Sequence, residues 1–180
     1  MKSTLYHGST NLIEKPEFGK GNPNNDYGLG FYCTENLELA KEWASSSDTD
    51  GFANEYVLNW DGLTVCDLGK GHNILNWMAV LVKNRTFDLT NAVAESAREY
   101  LLENFLPKYK EADIVRGYRA DDSYFAFARA FLTNQISLSQ LSYAMHLGKL
   151  GHQVVIKSPE AFNRIQFKSS EYVDSSLYYP

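Results

Sequence analysis

The apolar residues of this chain change their spacing between its two ends and its middle. Towards both ends they form short strand-like runs, and residues 54–60 alternate, which places Tyr56, Leu58 and Trp60 on one side. In the middle, over residues 73–83 for example, they recur three and four residues apart, as they do in helices. This change of period predicts an α+β protein, with strands from both ends of the chain and helices inserted between them.

The individual segments follow from the same periodicities and from the turn residues between them. The predicted strands are residues 4–7, 31–33, 54–60, 64–67, 113–115, 153–157 and 165–167. The predicted helices are residues 37–44, 73–83, 91–105, about 124–131 and 138–145, the last with Gly148 as its stop. The polar tail after Ser169 is expected to fray.

Composition sets the broad class of the protein. A length of 180 residues and a hydrophobic content of 44% suit a single folded domain, which we place at residues 1–180. The net charge of −5 argues against a broad basic surface for duplex nucleic acid or an anionic membrane. The two cysteines, Cys33 and Cys66, suggest neither a disulfide framework nor a metal site. For the same reason we expect no metal. No apolar run reaches transmembrane length, so we expect a cytoplasmic protein.

The stretch "NNDYGLGFYCTENLELAKEWA", residues 24–44, places Gly28 and Gly30 directly before a short strand that contains Tyr32. The dinucleotide fingerprint has a different order, because there a strand comes first and a helix follows the glycines. These glycines are therefore not expected to cradle a phosphate, and another reason for the tight turn is needed.

Three residues stand at positions where chemistry is plausible. His7 ends the first strand, Tyr32 lies inside an apolar strand, and Gln153 begins the last long apolar strand. Each of them alone is better explained by structure, as a strand-end, core or edge residue. Their order along the chain makes a functional interpretation worth considering.

That order resembles the ADP-ribosyltransferase superfamily, on the diphtheria-toxin and poly-ADP-ribose-polymerase branch. Those enzymes carry a His-Gly-Ser or similar strand end, a Gly-x-Gly-[Ile/Phe]-Tyr strand and a third residue, commonly glutamate, that begins a late strand. In this sequence His7, Tyr32 and Gln153 take those three places. The resemblance implies a split β-sandwich with inserted helices, which we expect as two small, bent antiparallel sheets with NAD bound between them.

The chain is more closely similar to a bacterial family named domain of unknown function 3990, which is grouped with these enzymes. The matching stretches extend over residues 5–167 and are "LYHGSTNLIEKP", "NNDYGLGFYCT", "AKEWA", "ILNWMAVLVKNR", "DIVRGYRADDSYF" and "HQVVIKSPEAFNRIQF".

The resemblance implies that NAD is the substrate and that its nicotinamide–ribose bond is broken. It gives Gly8, followed by Ser9, a backbone contact with the nicotinamide amide. It also implies that His7 donates a hydrogen bond to a hydroxyl of the adenosine ribose. Tyr32 then offers a flat face to nicotinamide, and Tyr27 forms a second wall.

Gly28 and Gly30 let the loop fold tightly between those two rings. His7, Tyr27, Tyr32 and Gln153 are accordingly expected to line one cleft.

Gln153 departs from the superfamily pattern. Its amide keeps an acceptor for a ribose hydroxyl but lacks the negative charge of glutamate. We therefore expect Gln153→Glu to raise NAD cleavage. Asp121 or Asp122 could supply a carboxylate instead, although an N-cap for the helix near residue 124 is the more economical interpretation. Ala40 also stands where related enzymes place a serine for the nicotinamide amide.

Three functions remain open at this point. The first is a mono-ADP-ribosyltransferase, acting as a toxin on an unknown protein or nucleic-acid acceptor and restrained by an inhibitory partner protein. The second is an NAD glycohydrolase, with water as the acceptor. The third is a binding module for NAD or ADP-ribose that has lost the catalytic charge.

Overall fold

The computed structural model describes residues 1–46, 48–88, 92–120, 122–147 and 151–178. Its strands are β1 (Lys2–Ser9), β2 (Phe31–Thr34), β3 (Gly51–Asn59), β4 (Val65–Asp67), β5 (Ile114–Tyr118), β6 (His152–Ile156) and β7 (Ile165–Val173). Its helices are α1 (Leu37–Ala44), α2 (Ile74–Asn84), α3 (Ala92–Phe105), α4 (Asp122–Leu132), α5 (Leu138–Leu147) and α6 (Pro159–Phe162).

The predicted α+β class is confirmed, and every predicted strand and helix has a counterpart. The expected fraying after Ser169 is wrong, because β7 continues to Val173 and pairs with β3 along its length. The predicted helix stop at Gly148 lies outside the described residues.

The strands form one sheet in the order β4-β5-β6-β2-β1-β3-β7. All neighbours are antiparallel except β4 and β5, which are parallel. The expectation of two separate antiparallel sheets is therefore corrected to a single mixed sheet. However, β2 and β1 are joined by a single residue pair, Tyr6 with Thr34, so the sheet is narrowest at its centre.

The two faces of the sheet are covered differently. On one face, α2 and its neighbouring helices pack over the β5–β6–β2 side around buried residues such as Trp77 and Val155. On the same face, α1 packs over β1 and β3, with Ala40, Ala44 and Ala53 in the contact. We call this the helical face. The opposite face carries a second cluster that includes Leu5, Cys33, Tyr56, Leu58 and Ile156, with α6 packed against it.

Candidate functional site

The glycine turn at residues 27–30 is closed by the hydroxyl of Tyr32. This hydroxyl accepts a hydrogen bond from the Tyr27 backbone N–H at 3.0 Å and donates one to the Gly28 carbonyl at 2.6 Å. Gly28 has a φ of 75°, a backbone conformation that strains residues with a side chain. The tight turn before the strand is thus built around its own tyrosine, which answers the question that the sequence raised.

Neighbouring elements hold the same loop in place. The ammonium of Lys157 donates to the carbonyls of Tyr27 at 2.7 Å and Leu29 at 2.8 Å. Burial, with Lys110 nearby, lowers the pKa of Lys157 to about 8. The side-chain amide of Asn84, at the end of α2, donates to the Asp26 carbonyl at 3.1 Å. These bonds place the side chain of Asp26 at a fixed position on the helical face.

Tyr27 does not form the expected second wall of a cleft. Its ring is buried in the core, with 1% exposed, and its hydroxyl donates to the carbonyl of Tyr118. The ring lies over Gly117, where an added Cβ would come within 2.4 Å of the Tyr27 hydroxyl oxygen. The Tyr27 ring therefore anchors the loop to the core and offers no free face to a ligand in this structure.

The sheet register places Tyr32 and Gln153 on the same face. Tyr32 is paired with Val155 and Thr34 with Gln153, and paired residues in an antiparallel ladder point to the same side. The prediction that Gln153 and Tyr32 share a face of the sheet is confirmed. His7 lies two positions from Leu5, on the opposite face, where its ring packs against Phe31 with ring centroids 4.3 Å apart.

Two cavities consequently replace the single cleft expected from the sequence. The first has a volume of about 380 Å³ and is lined by residues that include His7, Gly30 and Phe31. The second has a volume of about 230 Å³ and is lined by Asn25, Asp26, Tyr32, Trp43, Arg85, Arg119, Ala120 and Gln153. Asn25 and Tyr32 line both cavities, so these two residues mark the boundary between them.

The imidazole of His7 lines the first cavity, and its hydrogen bond shows which of its nitrogens carries the proton. Its Nδ1 lies 2.6 Å from the carbonyl oxygen of Tyr32, and burial lowers the pKa of the imidazole despite this bond. Since a carbonyl only accepts, Nδ1 carries the proton and Nε2 of the neutral ring is an acceptor. His7 is therefore set to accept from a ligand hydroxyl, whereas the resemblance implied that it donates.

Gly8 and Ser9 have structural roles at the end of β1. An added Cβ at Gly8 would lie 2.0 Å from the carbonyl oxygen of Ala40, so the absence of a side chain lets α1 pack directly on the strand. The Ser9 hydroxyl accepts from the backbone N–H of Asn11 at 3.2 Å and shapes the following turn. Neither contact involves the second cavity.

Gln153 is the least satisfied polar group in the wall of the second cavity. Its side chain is 7% exposed, and its Oε1 has no hydrogen-bond partner among the described residues. The amide lies beside the carboxylate of Asp26 in the same cavity wall and lowers the pKa of that carboxyl. A carboxylate attracts an N–H and repels a carbonyl oxygen, so it favours Nε2 of Gln153 and leaves Oε1 as a buried acceptor.

Asp26 is a buried carboxylate that the sequence interpretation missed. It is 4% exposed, and its Oδ2 accepts from the backbone N–H of Ala120 at 2.9 Å. Its Oδ1 lies 3.2 Å from Nη1 of Arg85. Burial raises the pKa of Asp26, while these donors and the more distant Arg119 oppose that increase. In the sequence Asp26 is one polar residue in an Asn- and Gly-rich loop, so no local signal distinguishes it.

The second aromatic residue of this cavity is Trp43, on α1. The Arg119 guanidinium carbon lies 5.5 Å from the centroid of the Trp43 ring, and Nη1 of Arg119 lies 3.7 Å from Glu42. At helical spacing Trp43 shares the apolar face of its helix with Leu39 and Ala40, which is the usual position for a tryptophan. Its contribution to a cavity depends on how α1 lies on β1.

Other expected participants lie elsewhere or are not described. Asp122 is the first residue of α4, and the position that would cap this helix, Asp121, lies outside the described residues. In the described part of the chain, no group of three His, Cys, Asp or Glu side chains is arranged to hold a metal ion. None of the described helices is both long enough and apolar enough to cross a membrane.

Comparison with known proteins identifies the family of the chain. A search of curated proteins gave no match. Residues 3–167 match the family described as "Protein of unknown function (DUF3990)". This match covers both cavities and nearly all of the described sheet, and the chain therefore belongs to the DUF3990 family.

Proposed function

We propose that this protein is an NAD-dependent mono-ADP-ribosyltransferase with an ADP-ribosyltransferase-like fold, in which the sheet divides at the weak junction between β2 and β1. The proposal is supported by the positions of His7 and Tyr32 at that junction and of Gln153 on the strand next to β2. The acceptor would be a protein or a nucleic acid.

The observation that carries the proposal is the buried Oε1 of Gln153, which lies in the wall of the second cavity and has no hydrogen-bond partner in the described part of the chain. A buried acceptor without a donor is costly, and native proteins seldom keep one without a use. A ribose hydroxyl is a suitable donor. The aromatic side chains of Tyr32 and Trp43 line the same cavity, which favours a ligand whose hydroxyls stand beside a flat ring.

The remaining chemistry of NAD is also matched by the two cavities. Arg85 and Arg119 line the second cavity, and guanidinium groups bind phosphate oxygens well. Cavities that hold a drug-sized ligand have volumes of roughly 300–1,000 Å³, and the two cavities together fall in that range. NAD would extend from the second cavity past Tyr32 and Asn25 towards His7, whose Nε2 accepts from a hydroxyl of the other ribose.

In the proposed reaction, the bond between the ribose C1′ and the nicotinamide nitrogen breaks. The electron pair of this bond leaves with the nicotinamide, which becomes neutral, and positive charge develops on the ribose. A nucleophilic atom of the acceptor bonds to C1′ and loses its proton to solvent or to a nearby base. The site contributes mainly by orientation, which reduces the entropic part of the barrier.

Incubation with NAD labelled in its adenine moiety tests the proposal. We expect label to move to a macromolecule when the protein is added to a bacterial lysate, with release of one nicotinamide for each group transferred. Sensitivity of the labelled product to protease or to nuclease identifies the acceptor class. Tyr32→Ala serves as the inactive control.

Two other outcomes would replace the proposal. Free labelled ADP-ribose without labelled macromolecule would make the protein an NAD glycohydrolase. Intact NAD together with measurable NAD affinity would make it a binding module. If the protein neither cleaves nor binds NAD, then NAD is excluded as its substrate and ligand.

A further inference from the structure

Asp26 and Gln153 form a buried pair on the helical face, and the pair constrains both side chains. The Asp26 carboxylate accepts from the Ala120 backbone and from Arg85, and the Gln153 amide lines the same cavity and lowers the pKa of the carboxyl. The bonds from Ala120 and Arg85 hold the carboxylate in place. Because an ionised carboxylate only accepts, it favours the N–H side of the amide.

This arrangement decides which atom of Gln153 remains for a ligand. The oxygen and nitrogen of a glutamine amide have nearly the same shape, and their positions are set by their hydrogen-bond partners. With Nε2 turned towards Asp26, Oε1 remains as an acceptor that has no partner among the described residues. An amide in the opposite orientation would turn its oxygen towards a carboxylate, which repels it.

We propose that Asp26 is the positioning residue of this site: its carboxylate orients the Gln153 amide so that Oε1 accepts from a substrate hydroxyl, and it supplies the negative charge that glutamine lacks. The identity of the substrate as NAD rests on the proposed function. The Asp26–Gln153 contact does not, because it is present without any ligand.

The charge of Asp26 acts on the ribose across the intervening Gln153 amide. The Arg85 guanidinium lies next to the same carboxylate. A carboxylate in direct contact with the developing cation changes the rate by about three decades at most. The intervening amide and the partial neutralisation by Arg85 reduce this effect. We expect Asp26→Asn to lower NAD turnover by about 10- to 100-fold.

The first test needs no ligand. The side-chain N–H resonances of Gln153 are recorded by NMR in the ¹⁵N-labelled protein and are identified by their loss in Gln153→Ala. They are then followed as the pH is lowered in the parent, in Asp26→Asn and in a control variant, Asp113→Asn. Asp113 is a suitable control because it accepts hydrogen bonds from Thr64, which directly precedes β4 and lies away from the cavity.

We expect the Gln153 resonances to shift as the parent is acidified, to lose this response in Asp26→Asn, and to keep it in Asp113→Asn. Burial raises the pKa of Asp26, so the response should begin above the ordinary aspartate range near 3.9. The other charged or titratable groups around it are Arg85, Arg119, Tyr27 and Tyr32. Burial raises the pKa of both tyrosines, away from the acid range of this experiment. Identical titration in parent and Asp26→Asn would overturn the proposal.

The second test exchanges the two groups. Gln153→Glu alone places two carboxylates side by side, so it should lower stability and NAD turnover, which reverses the expectation from the sequence. Asp26→Asn alone leaves two amides and frees Gln153 to turn. The double variant Asp26→Asn with Gln153→Glu restores one carboxylate and one amide, and should recover turnover to within about tenfold of the parent.

The outcomes separate the two proposals. If the parent does not cleave NAD but its Gln153 resonances respond to Asp26→Asn, the enzymatic function fails and the positioning contact stands. If the parent cleaves NAD and Asp26→Asn changes neither the resonances nor the turnover, the positioning role fails alone. A double variant that is folded by thermal unfolding but no more active than the singles also contradicts this role.

Discussion

The two cavities that meet at Tyr32 differ in how their polar groups are held. The wall of the first includes Lys15, Glu17 and Lys20, all exposed to solvent, beside the partly buried imidazole of His7. The wall of the second contains Asp26 and Gln153, both buried, and a backbone N–H and a guanidinium hold the Asp26 carboxylate. The exposed charged groups of the first cavity can move and exchange partners with water, whereas these two buried groups of the second cannot.

The difference indicates how a ligand would use each cavity. Buried polar groups that are left unpaired are costly, so the second cavity is preorganised for a few specific contacts. Exposed charges contribute little to affinity individually, because water and salt screen them. We therefore expect substitutions in the second cavity to change turnover, and substitutions in the first to change mainly affinity.

Tyr32 belongs to both cavities, and its removal should have the largest effect. Tyr32→Ala deletes a partly buried ring and the hydroxyl that closes the turn, and should destabilise the protein by roughly 2–4 kcal/mol and abolish NAD cleavage. Tyr32→Phe keeps the ring but leaves the Tyr27 N–H and the Gly28 carbonyl unpaired, at a cost of about 1–2 kcal/mol. Urea unfolding and nicotinamide release measure both effects. Equal loss of cleavage in the two variants, both folded, would show that the hydroxyl matters and the ring does not.

Gln153→Ala should act mainly on turnover. It removes the unpartnered acceptor in the second cavity, and loss of one positioned hydrogen bond typically costs about 1–2 kcal/mol, which is about tenfold in rate. The measurement is kcat for nicotinamide release, with NAD affinity determined in parallel. Unchanged kcat and affinity would exclude Gln153 from the site. They would also contradict the expectation that substitutions in the second cavity change turnover.

Gly28→Ala tests how strongly the glycine turn is coupled to the second cavity, with Gly19→Ala as its matched control. Both glycines have positive φ, 75° and 83°, and each substitution should cost about 1 kcal/mol in backbone strain. An added Cβ at Gly28 also meets Oδ1 of Asn84 at 2.9 Å, whereas the space around Gly19 is open.

Because Asn84 also holds the backbone of Asp26, Gly28→Ala should lower NAD turnover, and Gly19→Ala should leave it unchanged. Thermal unfolding and nicotinamide release compare the two variants. Equal losses of both stability and turnover would mean that only the backbone strain matters.

His7→Ala should have the smallest effect. It removes one acceptor from the cavity whose other charged groups are exposed, so the KM for NAD should rise about three- to tenfold while kcat stays near that of the parent. A fall in kcat with unchanged KM would contradict the division between the cavities.

His7 also contributes to the pH dependence of stability, and this contribution can be separated from that of the other titratable groups. Its pKa is lowered in the folded state, so the unfolded chain binds more protons as the pH falls below about 6.5, and the parent loses stability there. His152 has a lowered pKa as well and acts in the same direction. The difference between parent and His7→Ala in thermal unfolding from pH 7 to pH 5 isolates the part due to His7.

Local patterns predicted the elements of the fold well and their ends less well. The segment at residues 37–44 has the same bounds in the structure as predicted, because Asn36 caps it and its apolar residues share one face. By contrast, β7 extends beyond its short apolar run, because its polar residues up to Val173 are held by pairing with β3. A strand that is stabilised by its neighbour's backbone leaves a weaker mark in its own sequence.

For the candidate site, the sequence identified Tyr32 and Gln153 as residues on one face, but it grouped them with Tyr27 and His7 in a single cleft. The structure places the Tyr27 ring in the core and the His7 ring on the other face. Asp26 and Trp43 were missed, since an aspartate in a polar loop and a tryptophan on an apolar helix face are both ordinary.

The sequence by itself determined the α+β class, the strands and helices and the tight turn before Tyr32, because periodicity, capping and glycine conformation act over a few residues. The tertiary structure alone decided that Asp26 and Gln153 line one cavity, and that a buried amide oxygen has no partner among the described residues. Such contacts join segments far apart in the chain, and their energies depend on burial, which no local pattern of residues records.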